Sequence, residues 1–358
     1  MNQTPASFRL GEIVALARAR GASDIHVASG SVPAARVNGA IERLPTALLD
    51  PADVDALVVD LFSDDERHAL ASRGDVSTGV ARPRLGRMRA HAFRSDGDAC
   101  LALRLLPDAI PPIESLGLPQ AVSELTGARH GLILFAGPTG SGKSTTLAAF
   151  VDRINERAAR TVITIEDPIE YRLHPKRSLV RQRQVGFDVA DYEEAVRGAL
   201  RSDPDVIVIG EMRDAATMRV ALAAAETGHL VASSVHTSGA VQTVSRIVDA
   251  FPPEHQAAVR TQLSQTLVAI VSQRLVPKVG GGRRCAAEVL IADDATRAIV
   301  RDGKLHQLRN VIATSRADGM MTFEDHLASL VGSGEVALSD ALRFADHPRE
   351  IERRAPIA

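Results

Sequence analysis

Eight residues constrain this chain more than any others. The run GPTGSGKS, residues 137–144, fits G-x-x-x-x-G-K-[ST] directly after the apolar stretch GLILFAG and ahead of a helix. Glycines at that spacing let the backbone curl until its N–H groups converge on an anion. The amino-terminal end of the following helix adds favourable potential. The pattern therefore predicts a phosphate-binding loop at the edge of an α/β sheet. It assigns Gly137, Pro138, Thr139, Gly140, Ser141, Gly142, Lys143, Ser144 and Thr145 to ATP. Lys143 is expected to reach the β- and γ-phosphates, and Ser144 to ligate Mg2+.

Two further strand ends carry carboxylates. In DVIVIGEMRD, residues 205–214, an apolar run ends in Gly210 and Glu211. Many nucleotide hydrolases place an acidic pair there, whereas this chain has only the glutamate. In ITIEDPIEY, residues 163–171, the strand ends in Glu166 and Asp167, and Pro168 stops it. Carboxylates at the carboxyl ends of parallel strands lie beside the ligand crevice, and Mg2+ takes oxygen ligands, partly through water. The expected division of labour gives the metal to Ser144 and, through water, to Glu166, and the activation of the attacking water to Glu211. The competing reading of Glu211 is a plain ion pair with Arg213. TGHLVASSVHT brackets a strand with His229 and His236, either as packed or capping residues or as a γ-phosphate sensor and a link between elements. Their spacing suits no common metal pair.

Around these motifs, continuous apolar segments alternate with helical ones, the pattern of a parallel sheet covered on both faces. Residues 1–106 read as a small α+β domain. It has a first helix ending at Gly21, hairpins at Asn38-Gly39 and Asp96-Gly97, and one long helix from Pro51 capped by Asp50. The proline-rich stretch 107–119 reads as a linker and 120–358 as the nucleotide-binding domain, with the last hundred residues mainly helical. The first domain carries Arg82, Arg84, Arg87, Arg89, Arg94 and Arg104, and strand alternation puts Arg87, Arg89 and His91 on one face. Such a set is a solvated surface, a nucleic-acid face, or a source of positive charge for a nucleotide held by the other domain or a neighbouring subunit.

Bulk properties narrow the partners. A net charge of −2 and an aromatic content of 3% without tryptophan argue against nucleic acid. Cys100 and Cys285 have no metal-binding spacing, which fits a reducing cytosol. The first residues lack the basic and apolar regions of a secretory signal, and no run of about 18 apolar residues occurs. The protein is expected to be cytoplasmic, without direct membrane insertion. A nucleic-acid translocase and a non-hydrolysing nucleotide-dependent scaffold are the rival classes.

Taken together, GPTGSGKSTTLAA, TIEDPIEY, DPDVIVIGEMRD and AAETGHLVASSVHT resemble the Walker A, Asp box, Walker B and His box of the PilT-type secretion ATPases. GASDIHVASG and RVNGAIERL resemble that family's amino-terminal PAS-like domain, and DGMMTFEDHLASLV matches its late segments. The resemblance implies a RecA-like P-loop domain behind a PAS-like one, with ATP bound between them. It also implies a homo-hexameric, Mg2+-dependent motor acting on an inner-membrane platform protein and peripheral to that membrane through it, with a paralogous pilus ATPase as a further partner. It makes Gly210 typical of the family. Glu211 is then the general base, Glu166 sits at the metal, His229 and His236 form the His box, and Arg87, Arg89 and Arg104 reach phosphate. Lacking extra amino-terminal domains and a tetracysteine insertion, the chain is similar to the short motors of pilus retraction. Its segment ATRAIVRD, residues 295–302, keeps Ala295, Arg297, Ile299 and Arg301 of the retraction branch's A-I-R-N-L-I-R-E and changes the rest. An accessory motor or a paralogue linked to type II secretion or pilus assembly is the alternative.

Overall fold

The computed structural model describes residues 6–83 and 85–354, with side chains from residue 9 onward. The chain divides into two units, Met1–Ala109 and Ile110–Ala358. The first contains α1 (Ala6–Ala19), β1 (Ala22–Ala28), β2 (Ala34–Val37), β3 (Ala40–Arg43), α2 (Pro51–Leu61), α3 (Asp64–Arg73), β4 (Asp75–Arg82), β5 (Gly86–Ser95) and β6 (Asp98–Leu105). Its sheet runs β3-β2-β1-β6-β5-β4 with antiparallel neighbours. Leu10, Val14, Leu57, Met88 and Leu103 fill the core beneath it.

Both anticipated hairpins are present. Asn38-Gly39 takes φ 49° and 89°, and Asp96-Gly97 takes 53° and 85°, the doubly left-handed turn whose twist matches paired strands. The long helix expected from Pro51 is instead two. The Asp50 cap starts α2 as expected, but Ser63 is extended and forms a capping box with Glu66. The Glu66 carboxylate accepts from the Ser63 N–H at 2.8 Å, so a second helix starts where the apolar pattern alone continues.

The second unit contains α4 (Gln120–Glu124), β7 (Gly131–Ala136), α5 (Lys143–Arg157), β8 (Thr161–Glu166), β9 (Leu179–Gln184), α6 (Tyr192–Ala199), β10 (Val206–Ile209), α7 (Ala215–Glu226), β11 (Leu230–Val235), α8 (Ala240–Asp249), α9 (Pro253–Thr266), β12 (Leu267–Pro277) and β13 (Arg283–Ile291). After these come α10 (Asp294–Asp302), α11 (Leu308–Thr314), α12 (Phe323–Gly332), α13 (Leu338–Phe344) and α14 (Pro348–Arg354). The sheet order is β13-β12-β7-β11-β10-β8-β9. Neighbours are parallel except β12 and β13. Successive residues of β7 serve opposite faces, Leu132 and Leu134 in one core, Ile133 and Phe135 in the other. A strand buried on both faces needs an unbroken apolar run, and the fold is α/β.

The last hundred residues depart from the mainly helical expectation. After α9, LVAIVSQRLVP forms an eleven-residue strand beside β7. It returns as β13 through Gly280, Gly281 and Gly282, all at positive φ. The edge strand β9 was not anticipated either.

Candidate nucleotide site

Sheet register brings the motifs together. Ala136 at the end of β7 pairs with Val235 of β11 and Ser272 of β12. Ile209 of β10 pairs with Ser233 of β11 and Ile165 of β8. The phosphate loop, His236, Glu211 and Glu166 therefore leave the sheet at one edge, at the carboxyl ends of its parallel strands.

The loop is built around its glycines. Gly137, Gly140 and Gly142 have φ of 146°, 78° and 91°. A methyl added at Gly137 would stand 2.4 Å from the Gln273 carbonyl oxygen and 2.5 Å from Ser141 Oγ. Lys143 is buried and its Nζ donates to the carbonyls of Gly137 at 2.7 Å and Pro138 at 3.0 Å. Burial pushes its pKa below the usual lysine value, and the nearby Glu211 and Glu170 oppose that shift. Ser141 Oγ is buried without a partner, and Ser144 is exposed on the first turn of α5. The Thr145 hydroxyl meets the Tyr171 hydroxyl at 2.8 Å. A curled backbone, a helix amino terminus, a desolvated ammonium and an unmet hydroxyl form a set that fits an anion of the phosphate class.

Glu211 lies in a chain of contacts across the loop. Thr139 Oγ1 is 3.4 Å from His236 Nδ1, and His236 Nε2 is 3.4 Å from Glu211 Oε2. Arg213 forms a close ion pair with Glu211 Oε1, so the pairing weighed as the competing reading is present and occupies one oxygen. Glu166 Oε1 accepts from Thr164 Oγ1 at 2.6 Å and from Gln182 Nε2 at 3.0 Å. Ser144 and Glu166 supply oxygen donors of the kind Mg2+ takes. Among the described residues no cluster of three His, Cys, Asp or Glu side chains suits a metal held by protein alone.

The position ahead of Glu211 is closely surrounded. A methyl at Gly210 would stand 3.2 Å from the Tyr192 hydroxyl, 3.3 Å from Glu166 Cα and 3.3 Å from the Ile165 carbonyl. The Gly210 N–H donates to that carbonyl at 2.8 Å, and its own carbonyl accepts from Ser234 Oγ at 2.6 Å.

Sequence reasoning missed three residues. Tyr192 starts α6 and packs beside Gly210. Gln273 is buried on β12 and donates Nε2 to the Ser141 carbonyl at 2.9 Å, holding the phosphate loop from behind. Arg274, next along, binds Asp346 at 2.6 Å and the Ser238 carbonyl at 3.3 Å, joining the carboxyl-terminal helices to the turn after His236. No local motif marks these residues. The available signal was the β-branched character of the run that became β12.

Other expected residues lie elsewhere. His229 precedes β11 and His236 follows it, so one strand length of about 20 Å separates them. His229 Nδ1 instead lies 3.0 Å from the Ala224 carbonyl and 3.1 Å from Thr227 Oγ1 at the end of α7. These contacts are those of a residue that caps the end of α7. Arg87, Arg89 and Arg104 belong to the first unit. Arg89 pairs across strands with Arg104, Arg104 Nε binds Asp24 at 2.9 Å, and Met88, Ala90 and Ala92 take the buried face as alternation requires. Arg84 lies outside the described residues. In residues 295–302, Arg297 donates to the Ser264 and Gln265 carbonyls at the end of α9. A separate groove lined by Gln120, Arg316, Met320, Asp325 and Arg354 shares no residue with the phosphate loop.

Known proteins resemble the chain over most of its length. The profile of the family described as type II/IV secretion system protein matches residues 9–302. The type IV pilus retraction ATPase PilT of Pseudomonas aeruginosa is 40% identical over 94% of this chain and 98% of its own length. The uncharacterised protein YggR of Escherichia coli is 42% identical over 92% of this chain and 100% of its own. A crystal structure of the pilus retraction motor PilT with bound ADP superposes with a TM-score of 0.88 at 44% identity, covering 96% of this chain and 98% of that one. No helix among the described residues is long and apolar enough to cross a membrane. With a profile spanning most of its length and near-full-length relatives at such identity, the chain belongs to the type II/IV secretion system protein family and is an ATPase.

Proposed function

We propose that the chain is the ATPase motor of type IV pilus retraction, working as a homo-hexamer on a membrane-embedded partner. The supporting observation is the joining, at one sheet edge, of a complete phosphate loop with the Glu211–His236–Thr139 contact chain, in a chain 40% identical to PilT over nearly all of both lengths. In this reading the loop N–H groups and Lys143 hold the phosphates, and Ser144 and Glu166 would hold Mg2+. When bound, the metal supplies charge neutralisation at the phosphate oxygens. Glu211 takes the proton of the attacking water while the bond from the terminal phosphorus to its bridging oxygen breaks. Arg213 fixes one Glu211 oxygen and leaves Oε2, on the His236 side, to face that water. His236 connects the carboxylate to Thr139, so a change at the phosphate loop reaches Glu211 directly.

A deletion strain scored for surface pili and twitching tests the direction of work. Excess immobile pili are expected. Bald cells would reassign the protein to assembly, and normal pili with failed export would reassign it to secretion.

Gln273→Leu tests the support behind the loop. The substitution leaves the buried Ser141 carbonyl without its donor, a loss of about 1–3 kcal/mol. ADP affinity measured by calorimetry is expected to fall about tenfold, with kcat at saturating ATP changing less than about threefold. Unaltered affinity would show that the loop holds its shape without Gln273.

A further inference from the structure

Strand alternation sets Gln182 and Gln184 of β9 on one face, beside Thr164 and Glu166, their register partners on β8. Both amides reach the segment 167–173 that leaves β8. Gln184 Oε1 accepts from the Ile169 N–H at 3.3 Å. Gln182 Oε1 accepts from the Leu173 N–H at 2.8 Å. Gln182 Nε2 donates to the Tyr171 carbonyl at 2.8 Å and to Glu166 Oε1 at 3.0 Å, which engages both N–H groups of the amide. Turned over, the amide would set its oxygen against a carbonyl and a carboxylate and its NH2 against an N–H, so its orientation is determined. The Thr164 hydroxyl, on a residue 1% exposed, donates to the same Glu166 oxygen at 2.6 Å. Tyr171 continues the path, its hydroxyl 2.8 Å from Thr145 Oγ1 on the first turn of α5, one residue past Ser144.

We propose that Gln182 and Thr164 are positioning residues for Mg2+, acting through Glu166 by holding one of its carboxylate oxygens. The proposal rests on the reading of Ser144 and Glu166 as the residues that hold the metal. Mg2+ demands near-octahedral geometry and keeps several waters, so a carboxylate that reaches it through water must keep one orientation. A glutamate at a strand end is free to rotate about its last bonds, and two donors on Oε1 remove that freedom. Both donors are uncharged, so Glu166 keeps its full negative charge for a cation. A lysine or arginine in either place would offset it. The Tyr171–Thr145 contact ties the same amide to the helix start that carries Ser144. The two oxygen sources, on β8 and on α5, are thereby held in register by side chains that touch neither nucleotide nor metal.

The test measures, by calorimetry on the full-length protein, the affinity for a non-hydrolysable ATP analogue in saturating Mg2+ and in chelator. The ratio of the two affinities is the metal's contribution. Gln182→Met keeps an unbranched chain of similar length and removes the amide; Thr164→Val keeps the shape and removes the hydroxyl. Each is expected to lower the ratio about tenfold, the low end of what loss of an orienting partner costs a metal site. Affinity in chelator is expected to stay within about twofold of the parent. In a Glu166→Gln background the same substitutions should leave the ratio within about twofold, because residues acting through Glu166 have nothing left to act on. A ratio unchanged in both variants would overturn the proposal. Equal losses of affinity in Mg2+ and in chelator would assign the two side chains to the shape of the loop and overturn it as well. A parent protein that binds the analogue alike with and without Mg2+ would overturn the metal reading, and this proposal with it, before either variant is measured.

Discussion

Glu211→Gln is expected to lower ATP turnover by about 10²- to 10⁴-fold, the range for loss of a general base, while ADP binding stays within a few-fold of the parent. The amide keeps the size and shape of the carboxylate but cannot accept a proton from water. It also removes the ion pair with Arg213 and weakens the contact with His236. A companion variant separates these effects. Arg213→Ala breaks the ion pair and leaves the carboxylate in place, with Arg213 itself largely exposed. Were Glu211 only the arginine's partner, the two variants would lose activity alike. As a base, Glu211 should be needed far more than Arg213. Phosphate release and calorimetry on both proteins decide the matter, and near-normal turnover of Glu211→Gln would falsify the assignment.

Lys143→Ala is expected to weaken ADP binding by about two orders of magnitude, since charge-assisted hydrogen bonds are worth about 1.5–3 kcal/mol each, and to remove measurable turnover. The melting temperature of the nucleotide-free protein should hold or rise. A lysine whose folded pKa is lowered opposes folding while it is charged, and that opposition fades as pH rises through the folded value. Burial is the leading cause of the shift at Lys143, so deleting the ammonium relieves a cost that bound phosphate otherwise offsets. Calorimetry with ADP and thermal melting with and without it measure both effects. A large drop in melting temperature without nucleotide would show that Lys143 is structural.

Local chemistry was legible in the sequence, and long-range pairing was not. The phosphate loop, the two hairpin turns and the Asp50 cap depend on residues within a few positions of one another, so spacing reveals them. Glu211 and Glu166 were readable because both end apolar strands. The β12 strand was not, because α9 runs into LVAIVSQRLV with no glycine or proline between them, and a short apolar run has no period that separates helix from strand. Missing that strand meant missing Gln273, which is 132 residues from the Ser141 carbonyl it supports. Tyr192 carries no local motif, and only the packing of α6 on β10 brings it to Gly210.

The sheet order has a consequence for self-association. Among the described residues β13 has its outer side engaged by Met321, whose backbone exchanges hydrogen bonds with Val289 at 2.8 and 3.0 Å. At the opposite margin β9 is the terminal strand, and its LVRQRQ sequence sets Leu179, Arg181 and Arg183 on one side of the ribbon. Two copies brought together along this margin would oppose guanidinium to guanidinium, the like-charge device by which open strands resist fibre growth. The two arginines let a strand with an exposed leucine border solvent without seeding a shared sheet.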